Sequence, residues 1–256
     1  MVIKIRCQLQ IDPPADGAWN MAVDESLLAA ASARQQPTLR FYQWDSPTLS
    51  LGYFQPFEDR NHHPASLKTD VVRRLSGGGA ILHDRELTYS LVLPAIHPLA
   101  RDTQLLYDAV HRALVQILRI AIAGAPRWQV EPCTESSEQD RFLCFQRRFL
   151  GDILLSREGT TRHKVVGSAQ RRRRGAVLQH GSILLGRSEV ATELPGIREL
   201  TGIDIRPETL LATMPTALAK SLNLDLSPAE FSTDRNSATG LIRQEKYSTE
   251  SWTKRR

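Results

Sequence analysis

Three features of the 256-residue sequence predict an α/β fold. Runs rich in β-branched and aromatic residues recur from the first positions to about residue 185, two long stretches between them carry helical periodicity, and a glycine-rich turn joins two of the runs. With 41% hydrophobic residues the chain is long enough to bury a sizeable core. No internal repeat or flexible linker divides it, so residues 1–256 are expected to form one domain whose end, from about 188, is helical.

In order along the chain, residues 2–11 alternate as a strand. Asp16 is placed to cap a helix over residues 18–34, with Trp19, Val23, Leu27 and Ala30 on one face and Asn20, Asp24 and Glu25 in its first turns, where acids suit the helix dipole. Residues 38–44 and 48–53 are two short strands split by the turn signal Asp45-Ser46-Pro47. Tyr53 and Phe54 either line a pocket or pack, and packing is the favoured role. Residues 70–74 lead into the glycine stretch and 87–94 return as a strand. A core helix is expected over 102–123, because Leu105, Leu106, Ala109, Val110, Ala113, Leu114, Ile117, Leu118 and Ala121 form an apolar stripe and Gly124 supplies the stop. Then come a short strand at 127–130, an acidic loop over 131–141, and strands at 142–145, 152–155, 164–170 and 175–185. The last is apolar and glycine-punctuated, as in a strand that borders a ligand. Breaks at Pro195, Gly202, Pro207 and Pro215 punctuate the helical end.

Composition narrows the function classes. No apolar run approaches membrane-spanning length and the first residues show no apolar signal core, so a cytoplasmic protein without membrane attachment is expected. The cysteines, Cys7, Cys133 and Cys144, form no paired metal motif and no disulfide framework; free thiols are the default, and one is a candidate nucleophile. The net charge of +5 suits acidic partners, and much of the excess sits in Arg171, Arg172, Arg173 and Arg174 and in Lys254, Arg255 and Arg256. One short basic run without an aromatic stacking platform is a weak case for nucleic acid, and a solvated turn is the plain alternative.

The richest stretch is Arg73-Arg74-Leu75-Ser76-Gly77-Gly78-Gly79-Ala80. Three glycines let a ligand lie against main-chain N–H groups, and neighbouring guanidiniums favour a carbonyl or phosphate oxygen. By itself the stretch reads equally well as a glycine-rich hairpin, since it matches no nucleotide-binding spacing.

Residues 17–28 (GAWNMAVDESLL), 40–59 (RFYQWDSPTLSLGYFQPFED), 73–90 (RRLSGGGAILHDRELTYS) and 164–184 (KVVGSAQRRRRGAVLQHGSIL), with Lys246-Tyr247-Ser248 and Trp252-Thr253, resemble the lipoate–protein ligase A and octanoyltransferase superfamily. The resemblance implies the biotin/lipoyl ligase catalytic fold, a mixed β-sheet flanked by helices, and work on medium-chain acyl groups bound for a lysine of a lipoyl domain. Within that superfamily Cys144-Phe145 resembles the nucleophile of the LipM-like octanoyltransferases, and Glu86-Leu87-Thr88-Tyr89 is closer to their motif than to that of the ATP-dependent ligases. Cys144 is then the implied nucleophile, and Lys164 the cation that favours its thiolate. The implied acyl-binding set is Arg73, Arg74, Ser76, Gly77, Gly78, Gly79, Ala80, His83, Gly167, Ser168, Ala169, His180 and Gly181. Backbone amides of residues 76–80 and 167–169 are the candidate oxyanion donors, and His83 and His180 either orient the reacting groups or serve as structural hydrogen-bonders. Arg171 to Arg174 would dock the acidic carrier domain or its phosphopantetheine phosphate. A transferase needs no cofactor beyond an octanoyl-acyl carrier protein donor, whereas the ligase alternative needs ATP and Mg²⁺; a non-catalytic carrier-binding protein is the third reading. The implied acceptors are the glycine cleavage H protein or a 2-oxoacid dehydrogenase E2.

Overall fold

The structure, a computed structural model, describes residues 4–137, 141–229 and 233–256. Its elements are β1 (Ile5–Ile11), α1 (Gly17–Arg34), β2 (Thr38–Tyr42), β3 (Thr48–Leu51), β4 (Asp70–Arg73), β5 (Ile81–His83), β6 (Glu86–Leu93), α2 (Thr103–Ala121), β7 (Gln129–Pro132), β8 (Ile153–Ser156), β9 (His163–Arg173) and β10 (Ala176–Leu184). They are followed by α3 (Ile197–Thr201), α4 (Pro207–Leu211), α5 (Met214–Ser221), β11 (Leu224–Pro228), α6 (Thr233–Ile242) and α7 (Glu250–Thr253). Of the loop expected over 131–141, residues 138–140 lie outside the described residues, as do the first two residues of the expected strand 2–11. Among the described residues no helix is long and apolar enough to cross a membrane.

Eight strands form a mixed sheet in the order β11-β1-β2-β6-β10-β9-β8-β7, parallel at β11-β1-β2 and antiparallel beyond. Its central strands β6 and β10 are buried throughout, which is why both read as near-continuous apolar runs. Alternation then assigns their side chains to two layers. Leu91, Leu93 and Val177 join the core under α2, with Leu106, Val110, Leu114 and Leu118. Val92 and Leu178 point the other way, into the core under α1, with Met21, Leu27 and Leu28.

Both long helices start at a carboxylate cap, Asp16 as expected and Asp102 in place of the first helical residue expected there. The Asp16 carboxylate accepts from the Trp19 amide at 2.7 Å, and Asp102 accepts from the Gln104 and Leu105 amides at 3.0 Å. Two details of α2 differ from expectation. It ends at Ala121 with Ile122 bonding back to Leu118, so Gly124 is not the stop, and Leu105 is exposed, the buried arc beginning at Leu106. The buried arc takes in His111 instead. On α1, Asn20 and Asp24 answer a cation more than the helix dipole: the fully buried Arg40 on β2 donates to Asp24 at 2.9 Å, to Asn20 Oδ1 at 2.9 Å and to Asp12 at 2.6 Å, tying helix to sheet.

The end of the chain is not wholly helical. β11 returns to pair in parallel with β1, and its alternating Leu224, Leu226 and Pro228 give an edge strand in place of another helical turn. Residues 142–145 are likewise not a strand. Only Leu143 bridges, to Ala80, and the Gln146 and Arg147 amides fold back on Leu143 and Cys144 to make a 3₁₀ turn.

Candidate active site

The glycine stretch is a crossing and not a hairpin. β4 and β5 pair with opposite edges of β3, parallel and antiparallel respectively, so residues 74–80 must pass over the end of β3. The approach is close: a methyl group on Gly52 would stand 2.0 Å from the Gly78 carbonyl oxygen, and Gly78 itself has φ +92°. Arg74 sets the loop. Its guanidinium donates to the Ser50 carbonyl at 2.8 Å and to the Gly77 and Gly79 carbonyls at 2.8 and 2.7 Å. With those carbonyls drawn to Arg74, the amides of Gly77, Gly78 and Gly79 make no hydrogen bond among the described residues and remain as donors. The Ala80 amide is engaged by the Phe142 carbonyl at 3.2 Å, which removes it from the donor set. Arg73 also departs from the expected acyl contact. It lies buried away from the cavity, donating to the carbonyls of Gly52, Gln55 and Thr253, because its place on β4 points it at the chain's last residues.

Cys144 is fixed against this loop by its own amide, which donates to Ala80 at 2.7 Å. Lys164, on β9, reaches across so that Nζ lies 3.7 Å from the Cys144 Sγ. The ammonium is held from the other side by Asp152 at 2.8 Å, and that carboxylate also accepts from the Phe149 amide at 2.8 Å and from the Tyr107 hydroxyl at 2.9 Å. Burial alone would lower the Lys164 pKa, but the negative charges of Cys144 and Asp152 outweigh it and hold the amine above its ordinary value, so it stays an ammonium. Arg74, burdened chiefly by burial and supported by the Cys144 charge, is lowered to about 10 and stays cationic as well. By contrast, burial pushes the Cys7 thiol up to about 12, and the buried Cys133 donates to the Glu135 carbonyl at 3.0 Å.

Gly167 makes room for the lysine. A methyl there would sit 2.4 Å from Lys164 Cε and 2.8 Å from Nζ. Gly167→Ala is therefore expected to leave stability within about 1 kcal/mol, since the far end of a flexible side chain can yield, while a displacement of Nζ by about 1 Å lowers Cys144 acylation about 10²-fold. Parallel thermal melts and single-turnover acylation rates check both halves.

Residues missed from the sequence complete the support. Asp152 is fully buried, Tyr107 stacks on His111 with ring centroids 3.9 Å apart, and His111 sits 2.7 Å from both the Gly151 carbonyl and the Ser168 hydroxyl. Tyr107 and His111 are four residues apart inside the apolar arc of α2, which was the available signal. Burial pushes His111 down to about 4 from 6.5, against the pull of the Gly151 carbonyl and Asp152. The unfolded chain then binds the extra proton between these values, so the neutral imidazole's contribution is complete above pH 6.5 and is lost as pH falls toward 4. Denaturant unfolding at pH 7 and pH 5 should show the wild type losing about 2 kcal/mol more than His111→Gln over that interval.

The two expected histidines sit on the cavity wall, each in a defined setting. His180 lies 2.5 Å from the Ser76 hydroxyl and 3.2 Å from Asp24, which joins it to the Arg40 cluster. Burial would raise the Asp24 carboxyl, but the His180 hydrogen bond and the Arg40 charge hold it below the usual range. His83 stacks on Trp44 at 3.8 Å and bridges Glu86 and the Ser50 hydroxyl, each at 2.7 Å. Burial keeps it below the usual imidazole range despite Glu86.

These residues enclose a cavity of about 180 Å³ lined by the apolar Met21, Tyr42, Ile81, Phe145, Phe149 and Leu150 together with Cys144 and Lys164. Gly77, Gly78, Gly167, Ser168, Ala169 and Gly181 line it too. β8 pairs with β9 only as far as Val166, which leaves the edge at residues 167–169 facing the opening. At Gly181 a methyl would lie 2.3 Å from the Ser168 hydroxyl and 2.7 Å from Tyr89, so no larger residue fits. The site can therefore hold a short hydrocarbon chain with its carbonyl carbon at the Cys144 sulfur, two cations nearby and free amides in the glycine crossing.

The basic run does not form one patch. Arg174 and Gly175, at φ +49° and +82°, make the two-residue turn of the β9–β10 hairpin. Arg172 donates to the Ala100 carbonyl at 2.8 Å, Arg173 pairs with Glu25 at 3.3 Å, and Arg171 lies over the Tyr53 ring.

The lipoyl protein ligase A/B catalytic domain model matches residues 16–193. The chain is 31% identical to octanoyltransferase LipM of Bacillus anthracis over 92% of this chain and 93% of that protein, and 32% identical, at the same coverage, to octanoyltransferase LipM of Anoxybacillus flavithermus. Among solved structures it superposes on a putative lipoate protein ligase from T. acidophilum with a TM-score of 0.77 and 21% identity, over 98% of this chain and 100% of that one.

Proposed function

The chain belongs to the lipoyl protein ligase A/B catalytic-domain family, and from that premise we propose that it is an octanoyltransferase working through an acyl thioester on Cys144. The octanoyl group passes from a carrier thioester to a lysine of a lipoyl domain. One observation carries the reading: the Cys144 thiol and the Lys164 ammonium lie 3.7 Å apart on the wall of a mainly apolar cavity. Kinship at 31% identity with a LipM octanoyltransferase supports the transferase branch.

The chemistry follows from the donors available. The Cys144 thiolate attacks the thioester carbonyl, and the oxyanion is met by the amides of Gly77 to Gly79. Each well-aligned donor stabilises it by about 3 kcal/mol. The carrier thiolate leaves and takes a proton from the Lys164 ammonium, which becomes a neutral amine. One thioester is broken and one is formed, so no ATP is needed. In the second half the neutral lysine amine of the acceptor attacks the Cys144 thioester, an amide forms, and the proton lost from nitrogen passes to Lys164 Nζ, which restores the ammonium beside the released Cys144 thiolate. Asp152 positions Lys164 throughout. The donor is octanoyl-acyl carrier protein, and the acceptor is the lipoyl domain of a glycine cleavage H protein or a 2-oxoacid dehydrogenase E2.

Incubation with octanoyl-acyl carrier protein and a lipoyl domain in the absence of ATP tests this reading. It predicts an octanoylated lipoyl domain by mass. Modification that appears only with free acid and ATP, with release of pyrophosphate, would place the protein with the ligases instead.

A further inference from the structure

Three guanidiniums outside the reacting centre gather on one exposed aromatic pair. Arg171 lies 4.8 Å and Arg255 4.3 Å from the centroid of the Tyr53 ring, and Arg256 lies 5.3 Å from that of Phe54. The two rings meet edge to face, 4.9 Å apart, and Phe54 is 61% exposed, contrary to the packing role expected for it. Cations nearby are neutralised: Arg173 and Lys246 pair with Glu25, and Lys254 with Glu250. Among the described residues none of Arg171, Arg255 and Arg256 has a carboxylate partner. Three guanidiniums gathered without an Asp or Glu partner among the described residues repel one another, which an arriving anion would relieve.

The fold holds this group in place. Arg73 donates twice to the Thr253 carbonyl, at 3.0 and 2.8 Å; the Trp252 indole donates back to the Arg73 carbonyl at 2.8 Å, and the Phe57 amide to that of Arg256 at 2.7 Å. The buried Arg73, which makes no cavity contact, thus anchors residues 252–256 beside the β9 position that carries Arg171. The place is the rim of the acyl cavity. A methyl on Gly77 would stand 3.8 Å from the Phe54 ring, and Gly77 lines the cavity together with Ala169, two residues before Arg171.

We propose that Arg171, Arg255 and Arg256, on the Tyr53–Phe54 platform, form a phosphate-binding site for the phosphate ester in the thioester-bearing arm of the carrier. The inference rests on the octanoyltransferase reading above. Guanidinium forks match phosphate oxygens in pairs, and the aromatic faces cover the apolar part of an arm that runs from the rim past the glycine crossing to Cys144. The carrier's phosphate is thereby read by residues drawn from three separate stretches of chain, and the continuous run Arg171 to Arg174 supplies only its first member.

Two small donors isolate the phosphate: octanoyl-phosphopantetheine and octanoyl-pantetheine, which differ in that group alone. Acylation of Cys144 by each is followed by mass at low ionic strength, for the wild type and for R171Q/R255Q/R256Q. The site predicts a kcat/KM ratio favouring the phosphorylated donor by about tenfold or more in the wild type, falling to within about twofold of unity in the variant. Equal use of both donors by the wild type, or a preference that survives in the variant, would overturn the site while leaving the transferase intact. No acylation from either small donor would overturn the site, and no acylation from octanoyl-acyl carrier protein run beside them would remove the octanoyltransferase reading, and this inference with it.

Discussion

Cys144→Ala abolishes transfer of the octanoyl group to a lipoyl domain, with kcat/KM falling about 10⁴-fold or more, because among the described residues no other thiol lines the cavity to take the acyl group from a thioester. The thiol is only half-buried and its backbone is held by the Ala80 carbonyl, so the variant folds with a stability within about 1 kcal/mol of the wild type. The mass of the lipoyl domain after a timed incubation measures the first effect and urea unfolding the second. Alkylation distinguishes the thiols. Cys7 and Cys133 are buried, so native wild-type protein should take up one equivalent of iodoacetamide and Cys144→Ala none. Residual transfer near the wild-type rate would show that the acyl group never rests on Cys144.

The second large effect separates chemistry from stability at Lys164. Lys164→Met leaves the Asp152 carboxylate buried with only the Tyr107 hydroxyl and the Phe149 amide for partners. Removing one member of a buried ion pair costs about 3–5 kcal/mol. Adding Asp152→Asn removes the orphaned charge, so Lys164→Met/Asp152→Asn should regain most of that stability. Acylation of Cys144 should stay about 10²- to 10⁴-fold slow in both variants, since the cation 3.7 Å from the thiol is missing in each. Recovery of activity along with stability in the double variant would make Lys164 a structural residue.

Much of the layer architecture was legible because periodicity reports burial. The Asp16 cap, the stripe of α2 and the apolar β6 and β10 all follow from residue spacing. The departures have one physical source, that long-range partners override local pattern. Arg73 and Arg74 read alike, yet one turns to the end of the chain and the other to the glycine carbonyls, according to which strand neighbour each meets. Residues 142–145 have strand composition but find only a single bridging partner, and β11 exists because β1 offers it an edge. The nucleophile and its lysine were indicated by family resemblance, not by periodicity. Asp152, Tyr107 and His111, which hold that lysine, carried almost no local signal, because a buried carboxylate is recognisable only once its cation is in place.

The measurement closest to the central claim is the intact mass of the protein after brief mixing with octanoyl-acyl carrier protein, without ATP. A thioester intermediate predicts a gain of about 126 Da, one octanoyl group, that hydroxylamine removes and that Cys144→Ala never shows. A lipoyl domain that becomes octanoylated while the enzyme's mass stays unchanged, or an adduct equally present in Cys144→Ala, would contradict it.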